Sequence, residues 1–176
     1  MQEGIVIKST GSWYEVRNEN GEVVLCRLRG KIRLDGIRTT NPVAVGDKVI
    51  FEEENNKDTC VINKILPRNN VIVRKSVNLS KASHIIASNI DQAILVATIA
   101  HPRTSTGFMD RFLVTAEAYH IPTIIVFNKC DLYDDEQMSV AEDLISTFEN
   151  IGYHSFMISA KTGFQCDELK DIMKDK

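Results

Sequence analysis

Two short polar segments carry side chains that could recognise a purine base. They are Asn128-Lys129-Cys130-Asp131 and Ser159-Ala160-Lys161. Each directly follows a run of apolar residues, a pattern typical of a strand buried on both faces. Because ligands of open parallel sheets bind at the carboxyl ends of the strands, we expect both segments at one binding edge.

The hydrogen-bonding groups of these segments match the edge of guanine, which presents two N–H donors and one carbonyl acceptor. The Asp131 carboxylate can accept both donors, and each such charge-assisted bond is worth about 1.5–3 kcal/mol. The Ala160 N–H is a natural donor to guanine O6. Asn128 can either bond the base edge or tie the two segments together. The apolar stems of Lys129 and Lys161 can lie on the two faces of the base.

Chance and a purely structural role are the alternatives to guanine recognition. N-K-x-D fixes three residues, so it arises by chance in about one chain in fifty of this length. Ser159, however, begins the second segment 28 residues after Asp131 and also directly follows a buried strand. In the structural alternative, Asp131 and Ser159 would only cap helices. We favour guanine recognition because the two segments occur together.

The region that contains both segments alternates between strand and helix patterns. Apolar runs predict strands over 93–99, 122–127 and 154–158. Helical spacing predicts helices over 108–118, 135–150 and 166–173. This alternation indicates a three-stranded parallel sheet with flanking helices.

The first 66 residues instead contain short strands separated by turn residues. Strands are predicted over 4–8, 13–17, 23–28, 45–52 and 59–66. Asn20-Gly21 predicts a two-residue hairpin. A five-stranded barrel of the OB type is favoured, and an SH3-like barrel is the alternative. The fold class is therefore α+β with two domains: a barrel over 1–66, a linker over 67–90 and an incomplete α/β domain over 91–176.

Charge is distributed unevenly along the chain. Residues 1–90 contain 14 Lys and Arg against 10 Asp and Glu, whereas residues 91–176 contain 7 against 14. A basic cluster in the barrel region could neutralise RNA phosphates. Its members are Arg27, Arg29, Lys31, Arg33 and Arg38. A solvated basic surface is the alternative. Trp13 and Tyr14 should alternate, so that one fills the core and the other offers a stacking face.

Several classes of protein and site are excluded by the sequence. No apolar run approaches the roughly 18 residues that span a bilayer, and the first residues lack a signal-peptide pattern. We therefore expect a cytoplasmic protein without a membrane partner. The cysteines form no C-x-x-C pair, and the histidines show no ligand spacing. No metal site is predicted in this chain.

N-K-C-D and S-A-K-T-G resemble the fourth and fifth guanine-binding motifs of the P-loop GTPases. Neither a G-x-x-x-x-G-K-[ST] loop nor a D-x-x-G loop precedes them; a barrel does. This order resembles the circularly permuted, ribosome small-subunit-dependent GTPase A family. In that family an OB-fold domain precedes a GTPase domain whose last two motifs come first. The resemblance covers the whole chain.

For the intact protein, the resemblance implies hydrolysis of GTP to GDP with magnesium, stimulated by the small ribosomal subunit during its assembly. It implies that the barrel binds ribosomal RNA and that the two motifs bind guanine. It also places the phosphate loop, the catalytic groups and a zinc-binding domain beyond Lys176. We therefore expect a truncated, inactive chain with no catalytic, magnesium or zinc residues of its own. The edge of its strand at 93–99 should be unpaired, capped by the linker or paired with another chain.

Two other functions stay open at this point. The first is a non-enzymatic RNA-binding module whose α/β half is a docking surface. The second is a response-regulator-like domain. That family has an acidic cluster after its first strand, whereas this chain has Ile99-Ala100-His101-Pro102 at the corresponding place.

Overall fold

The structure of the chain is a computed structural model that describes residues 1–30, 42–54, 59–75 and 83–176. These residues form two compact units, Met1–Ile90 and Asp91–Lys176. In the described ranges, no helix is long and apolar enough to cross a membrane.

The first unit contains a closed five-stranded barrel. Its strands are β1 (Gln2–Ser9), β2 (Tyr14–Asn18), β3 (Val23–Leu28), β4 (Lys48–Glu53) and β5 (Cys60–Ile65). They are hydrogen-bonded in the order β1-β2-β3-β5-β4, and β4 pairs with β1 to close the barrel. β3 and β5 run parallel, and the other neighbours run antiparallel. The predicted OB-type barrel is confirmed.

Side chains alternate between the two faces of each strand, and those that point inward fill the interior of the barrel. The core includes Val6, Tyr14, Val16, Val49, Phe51 and Ile62. Tyr14 is fully buried, and its hydroxyl donates a hydrogen bond to the Gly11 carbonyl at 3.1 Å. Trp13, in contrast, is 42% exposed. The two aromatic side chains thus divide between core and surface as their alternation predicts.

The turn between β2 and β3 differs from the predicted two-residue hairpin. Gly21 has a positive φ of 84°, whereas Asn20 does not. The Asn18 N–H donates to the Glu22 carbonyl at 2.9 Å, so the loop spans residues 19–21. The Asn18 side-chain oxygen accepts hydrogen bonds from the N–H groups of Asn20 and Glu22. This side-chain cap stabilises the longer loop, in which only the glycine needs the left-handed conformation.

An antiparallel hairpin follows the barrel within residues 67–90, for which the sequence predicts a linker. Its strands are β6 (Val71–Lys75) and β7 (Ser83–Ser88). The end of β7 contacts the segment before β4, where the Ser88 N–H donates to the Val45 carbonyl at 2.9 Å. Gly46, with φ of 89°, lies so close that a Cβ there would be 1.9 Å from the Ser88 carbonyl oxygen. Glycine is therefore required for this approach.

A buried ion pair holds the same region together. The Asp47 carboxylate is fully buried and accepts two hydrogen bonds from Arg68, each 2.6 Å long. It also accepts bonds from the Ala44 N–H at 2.8 Å and the Ser88 hydroxyl at 2.5 Å. Because a buried charge is costly unless it is paired and hydrogen-bonded, Asp47 depends on these partners.

The second unit alternates strands and helices as the sequence predicts. Its elements are β8 (Ala93–Ala97), α1 (Thr106–Ala118), β9 (Thr123–Phe127), a 3-10 turn (Cys130–Leu132), α2 (Asp135–Asn150), β10 (Ser155–Met157) and α3 (Cys166–Met173). The strands are parallel and lie in the order β10-β9-β8. The predicted three-stranded parallel sheet with flanking helices is confirmed.

Helices cover both faces of the central strand β9, whose five residues are all buried. On one face, Phe127 packs near Phe148 of α2, with ring centroids 6.5 Å apart. On the other face, Val126 lies in a cluster with Leu169 and Ile172 of α3. Burial on both faces explains the continuous apolar run of this strand.

β8 lies at one edge of the sheet. Within the described residues it pairs with β9 alone, and Val96 is 55% exposed. Among the described residues, no strand pairs with the outer side of this edge, which agrees with the first of the three expected arrangements.

Removing Arg68 should destabilise the first unit strongly. Arg68→Leu leaves the buried Asp47 carboxylate without its cation, which costs about 3–5 kcal/mol in comparable cases. Urea unfolding would measure this loss. Lys8→Ala is the matched control because Lys8 and Glu15 form an exposed ion pair, a kind worth about 0–1 kcal/mol. Equal losses in the two variants would contradict the structural role of the Asp47–Arg68 pair.

The barrel should lose stability at alkaline pH. Burial, with a further contribution from Cys60, raises the pKa of the Cys26 thiol from 9.0 to about 12. The folded chain thus holds this proton while the unfolded chain releases it, so stability falls as pH rises from 9 towards 12. Urea midpoints at pH 8 and pH 10.5 should fall less for Cys26→Ser than for the unsubstituted chain. If the urea midpoint fell equally in Cys26→Ser and the unsubstituted chain, or if Cys166→Ser reduced the fall as much as Cys26→Ser, the Cys26 thiol would not be its cause.

Candidate functional site

The carboxyl ends of β9 and β10 bring the two predicted segments together. The Asn128 N–H donates to the Ala97 carbonyl at the end of β8, with a distance of 2.8 Å. The Cys130 N–H donates to the Ile158 carbonyl just after β10, with a distance of 3.2 Å. The first segment thus crosses the edge of the sheet between the ends of its two neighbouring strands.

Asn128 ties the two segments to each other. Its side-chain oxygen Oδ1 accepts a hydrogen bond from the Lys129 N–H at 2.8 Å and another from the Ala160 N–H at 3.1 Å. The sequence leaves open whether Asn128 bonds a base or joins the segments, and in the structure its Oδ1 joins the segments. The Ala160 N–H, which we predict to donate to guanine O6, points to this oxygen in the structure.

A second tie joins Ser159 to Asp131. Ser159 is fully buried, and its hydroxyl donates to Asp131 Oδ1 at 2.6 Å. The same hydroxyl accepts from the Thr162 N–H at 3.1 Å. Since a carboxylate offers about four acceptor positions, Asp131 keeps capacity for two further donors. Asp131 is itself exposed, so those positions are accessible.

The two lysines differ in how firmly they are held. Lys129 adopts the left-handed conformation, with φ of 71° and ψ of 30°, and begins the 3-10 turn. Its ammonium group donates to the His101 carbonyl in the loop after β8. Lys161 is exposed. Of the two lysine side chains predicted to flank a base, Lys129 is therefore held by a hydrogen bond to the loop after β8.

Cys130 lies in the first segment and has a protonated thiol. Burial raises the pKa of the Cys130 thiol, and the neighbouring Asp131 carboxylate adds to the increase. The side chain at this position of N-K-C-D therefore contributes no negative charge beside Asp131. The described residues also contain no group of three or more His, Cys, Asp or Glu that could hold a metal ion.

Tyr133 is a site residue that the sequence analysis did not identify. Its hydroxyl donates to the Asn128 carbonyl at 2.6 Å and accepts from the Ile99 N–H at 3.0 Å. Burial raises the pKa of this hydroxyl, which keeps it protonated. A tyrosine shortly after N-K-x-D gives no pattern that separates this role from ordinary packing.

The basic cluster of the barrel is only partly described. Arg27 forms an ion pair with Glu54, and Arg29 contacts Glu52 at 2.8 Å. Lys31, Arg33 and Arg38 lie outside the described residues. The two arginines that the structure does place therefore each contact a carboxylate of the same unit.

Family models match both units of the chain. Residues 65–176 match the RsgA GTPase family, and residues 3–61 match the RsgA N-terminal domain. The small ribosomal subunit biogenesis GTPase RsgA of Bacteroides fragilis is 49% identical over 176 residues. That match covers 99% of this chain and 56% of the relative, so the chain spans about half the length of such curated relatives.

Two crystal structures show the same fold at substantial sequence identity. YjeQ from Thermotoga maritima matches with a TM-score of 0.77 and 36% identity, over 99% of this chain and 58% of that one. YloQ, described as a circularly permuted GTPase, matches with a TM-score of 0.70 and 34% identity, over 98% of this chain and 55% of that one. Because the family models match both units and the Bacteroides fragilis relative is 49% identical over 99% of this chain, the chain belongs to the RsgA GTPase family.

Proposed function

We propose that this chain supplies the guanine-reading part of a GTP-hydrolysing assembly factor of the small ribosomal subunit. The observation that carries the proposal is the pair of ties between the two segments, Ser159 to Asp131 and Asn128 to Ala160. They hold a carboxylate and a backbone N–H at one edge of the sheet without a ligand. Such preorganisation reduces the ordering cost of binding.

The same groups select guanine over adenine. Guanine N1–H and N2–H₂ would donate to Asp131, and the Ala160 N–H, which Asn128 holds beside the site, would also donate to guanine O6 in a three-centre hydrogen bond. Adenine places an acceptor at N1, opposite the Asp131 carboxylate, and a donor at N6, opposite the Ala160 N–H. Both contacts are unfavourable, so the site rejects adenine as well as accepting guanine.

Hydrolysis of GTP to GDP belongs, in this proposal, to the intact protein, with Mg²⁺ bound at the phosphates. This sequence contains no G-x-x-x-x-G-K-[ST] loop. We assign no magnesium or zinc ligand to the residues of this chain. The relatives' names support a small-subunit partner, and we place the protein in the cytoplasm.

The barrel is proposed to contact ribosomal RNA through its basic cluster. Phosphate contacts by Lys and Arg release counterions and make binding dependent on salt. In the structure, however, Arg27 and Arg29 are held by Glu54 and Glu52. RNA must therefore compete with these two carboxylates.

Exchanging the Asp131 carboxylate for an amide should change the base that is preferred. Asp131→Asn loses a charge-assisted hydrogen bond to guanosine, which lowers affinity about tenfold to a hundredfold. The new amide N–H₂ can instead donate to the C2 carbonyl of xanthosine, so xanthosine should bind better than guanosine. Equilibrium dialysis with guanosine and xanthosine would measure this change in preference.

Asp134→Asn is the matched control for this experiment. Asp134 caps α2, accepting from the Gln137 N–H at 2.8 Å, and Asn caps helices equally well. It should leave the preference for guanosine unchanged. If Asp131→Asn also kept that preference, or if the unsubstituted chain bound neither guanosine nor adenosine but still bound RNA, the RNA-binding module would be the better account.

Releasing the two arginines should strengthen RNA binding. In the double variant Glu52→Gln, Glu54→Gln, up to two more phosphate contacts become available, which steepens the dependence of log affinity on log salt by about 1.4–1.8. Filter binding to small-subunit ribosomal RNA over a salt series would measure this slope. Glu3→Gln, Glu19→Gln removes the same charge from exposed positions of the same unit. Equal slopes in the two double variants would exclude Arg27 and Arg29 from the RNA interface.

A further inference from the structure

We propose that Tyr133 is a positioning residue of the base site and couples the loop after β8 to Asn128 and Ala160. The inference rests on the proposed guanine recognition and deepens it. It adds to the two segments a third element, residues 98–104, that the motifs do not include.

The Tyr133 hydroxyl uses both its donor and its acceptor capacity. It accepts from the Ile99 N–H at 3.0 Å and donates to the Asn128 carbonyl at 2.6 Å. Tyr133 follows directly after the 3-10 turn and is its C-cap, so the backbone of the first segment fixes where this side chain starts. The hydroxyl therefore joins the loop after β8 to the first residue of N-K-C-D.

Asn128 is the residue through which Tyr133 reaches the second segment. The Asn128 N–H is held by Ala97, its carbonyl by Tyr133, and its Oδ1 accepts from the Ala160 N–H. Removing the hydroxyl frees the carbonyl and leaves the Ile99 N–H, in a half-buried residue, without its acceptor. Asn128 then gains freedom to tilt, and the Ala160 N–H loses a fixed partner.

Hydrogen bonds within the loop after β8 allow it to transmit such a constraint. Thr98 and Thr104 close it: the Thr98 N–H donates to Thr104 Oγ1 at 3.1 Å, and the Thr104 N–H donates to the Thr98 carbonyl at 2.8 Å. A second contact to the first segment comes from Lys129, whose ammonium donates to the His101 carbonyl. The loop thus meets the first segment at two points, and Tyr133 makes the one that reaches Asn128.

Tyr133→Phe tests this role, with Tyr153→Phe as the matched control. Tyr153 is also half-buried in the second unit, and burial likewise raises the pKa of its hydroxyl. It lines one cavity together with Leu113, Val114 and Ile151, residues of α1 and of the end of α2. Both substitutions remove one hydroxyl and keep the ring, so general effects on packing are matched.

Amide hydrogen exchange of the ligand-free chain is the first readout. In Tyr133→Phe, the Ile99 and Ala160 amides should exchange several times faster, while the Ile125 amide, bonded to His154 between β9 and β10, reports the stability of the sheet. A merely structural role would accelerate all three together. Unchanged exchange at Ala160, or equal acceleration at Ile125, would overturn the proposal.

Affinity for guanosine 5′-monophosphate and inosine 5′-monophosphate is the second readout. Hypoxanthine keeps O6 and N1–H but lacks the 2-amino group that Asp131 would read. Because Tyr133 acts on Asn128 and Ala160, Tyr133→Phe should weaken both nucleotides about threefold to tenfold and keep their ratio. Unchanged affinities, or a collapsed ratio, would refute the role.

The two readouts separate this inference from the function on which it rests. If the unsubstituted chain bound guanosine and adenosine monophosphates equally or not at all, guanine recognition would fail. The exchange of Ala160 would then still decide whether Tyr133 positions the second segment. If guanosine monophosphate bound selectively and Tyr133→Phe matched Tyr153→Phe in both readouts, only the role of Tyr133 would fail.

Discussion

The hydrogen bond from the buried Ser159 hydroxyl to Asp131 is the interaction on which the proposed base site depends. It fixes an exposed carboxylate from one segment by a fully buried group of the other, at 2.6 Å. Without it, the carboxylate would sit on a short 3-10 turn with freedom to rotate. A carboxylate held in place reads two adjacent donors at low entropic cost.

This bond is available only because of the parallel sheet. β9 and β10 run in the same direction, with Phe127 in register with Met157, so their carboxyl ends place Asn128 and Ser159 at one edge. The register is fixed in turn by the burial of β9 on both faces, since a slip by one residue would exchange the side chains that face α2 and α3. Packing of the core thus determines the geometry of the polar site.

The sequence predicted those parts of the molecule that local pattern determines. Helix α2 follows its apolar spacing over Asp135–Asn150, and the two segments follow buried strands as expected. Contacts between residues that are distant in sequence leave no local pattern from which they could be predicted. The Asp47–Arg68 pair, 21 residues apart, orders a region predicted as a linker. The Tyr133 hydroxyl accepts from the N–H of Ile99, 34 residues before it in the chain. The prediction of a two-residue turn at Asn20-Gly21 was wrong for a local reason, because the Asn18 side chain caps a longer loop.

Mapping of amide chemical shifts during parallel titrations with guanosine and adenosine tests the central claim most directly. The claim predicts shifts with guanosine that are largest at the Ala160 amide, which gains guanine O6 as a second acceptor, and at the amides next to Asp131. Adenosine should leave these amides unchanged at the same concentration. Equal shifts with both nucleosides, or guanosine shifts that avoid both segments, would show that the edge of this sheet does not read guanine.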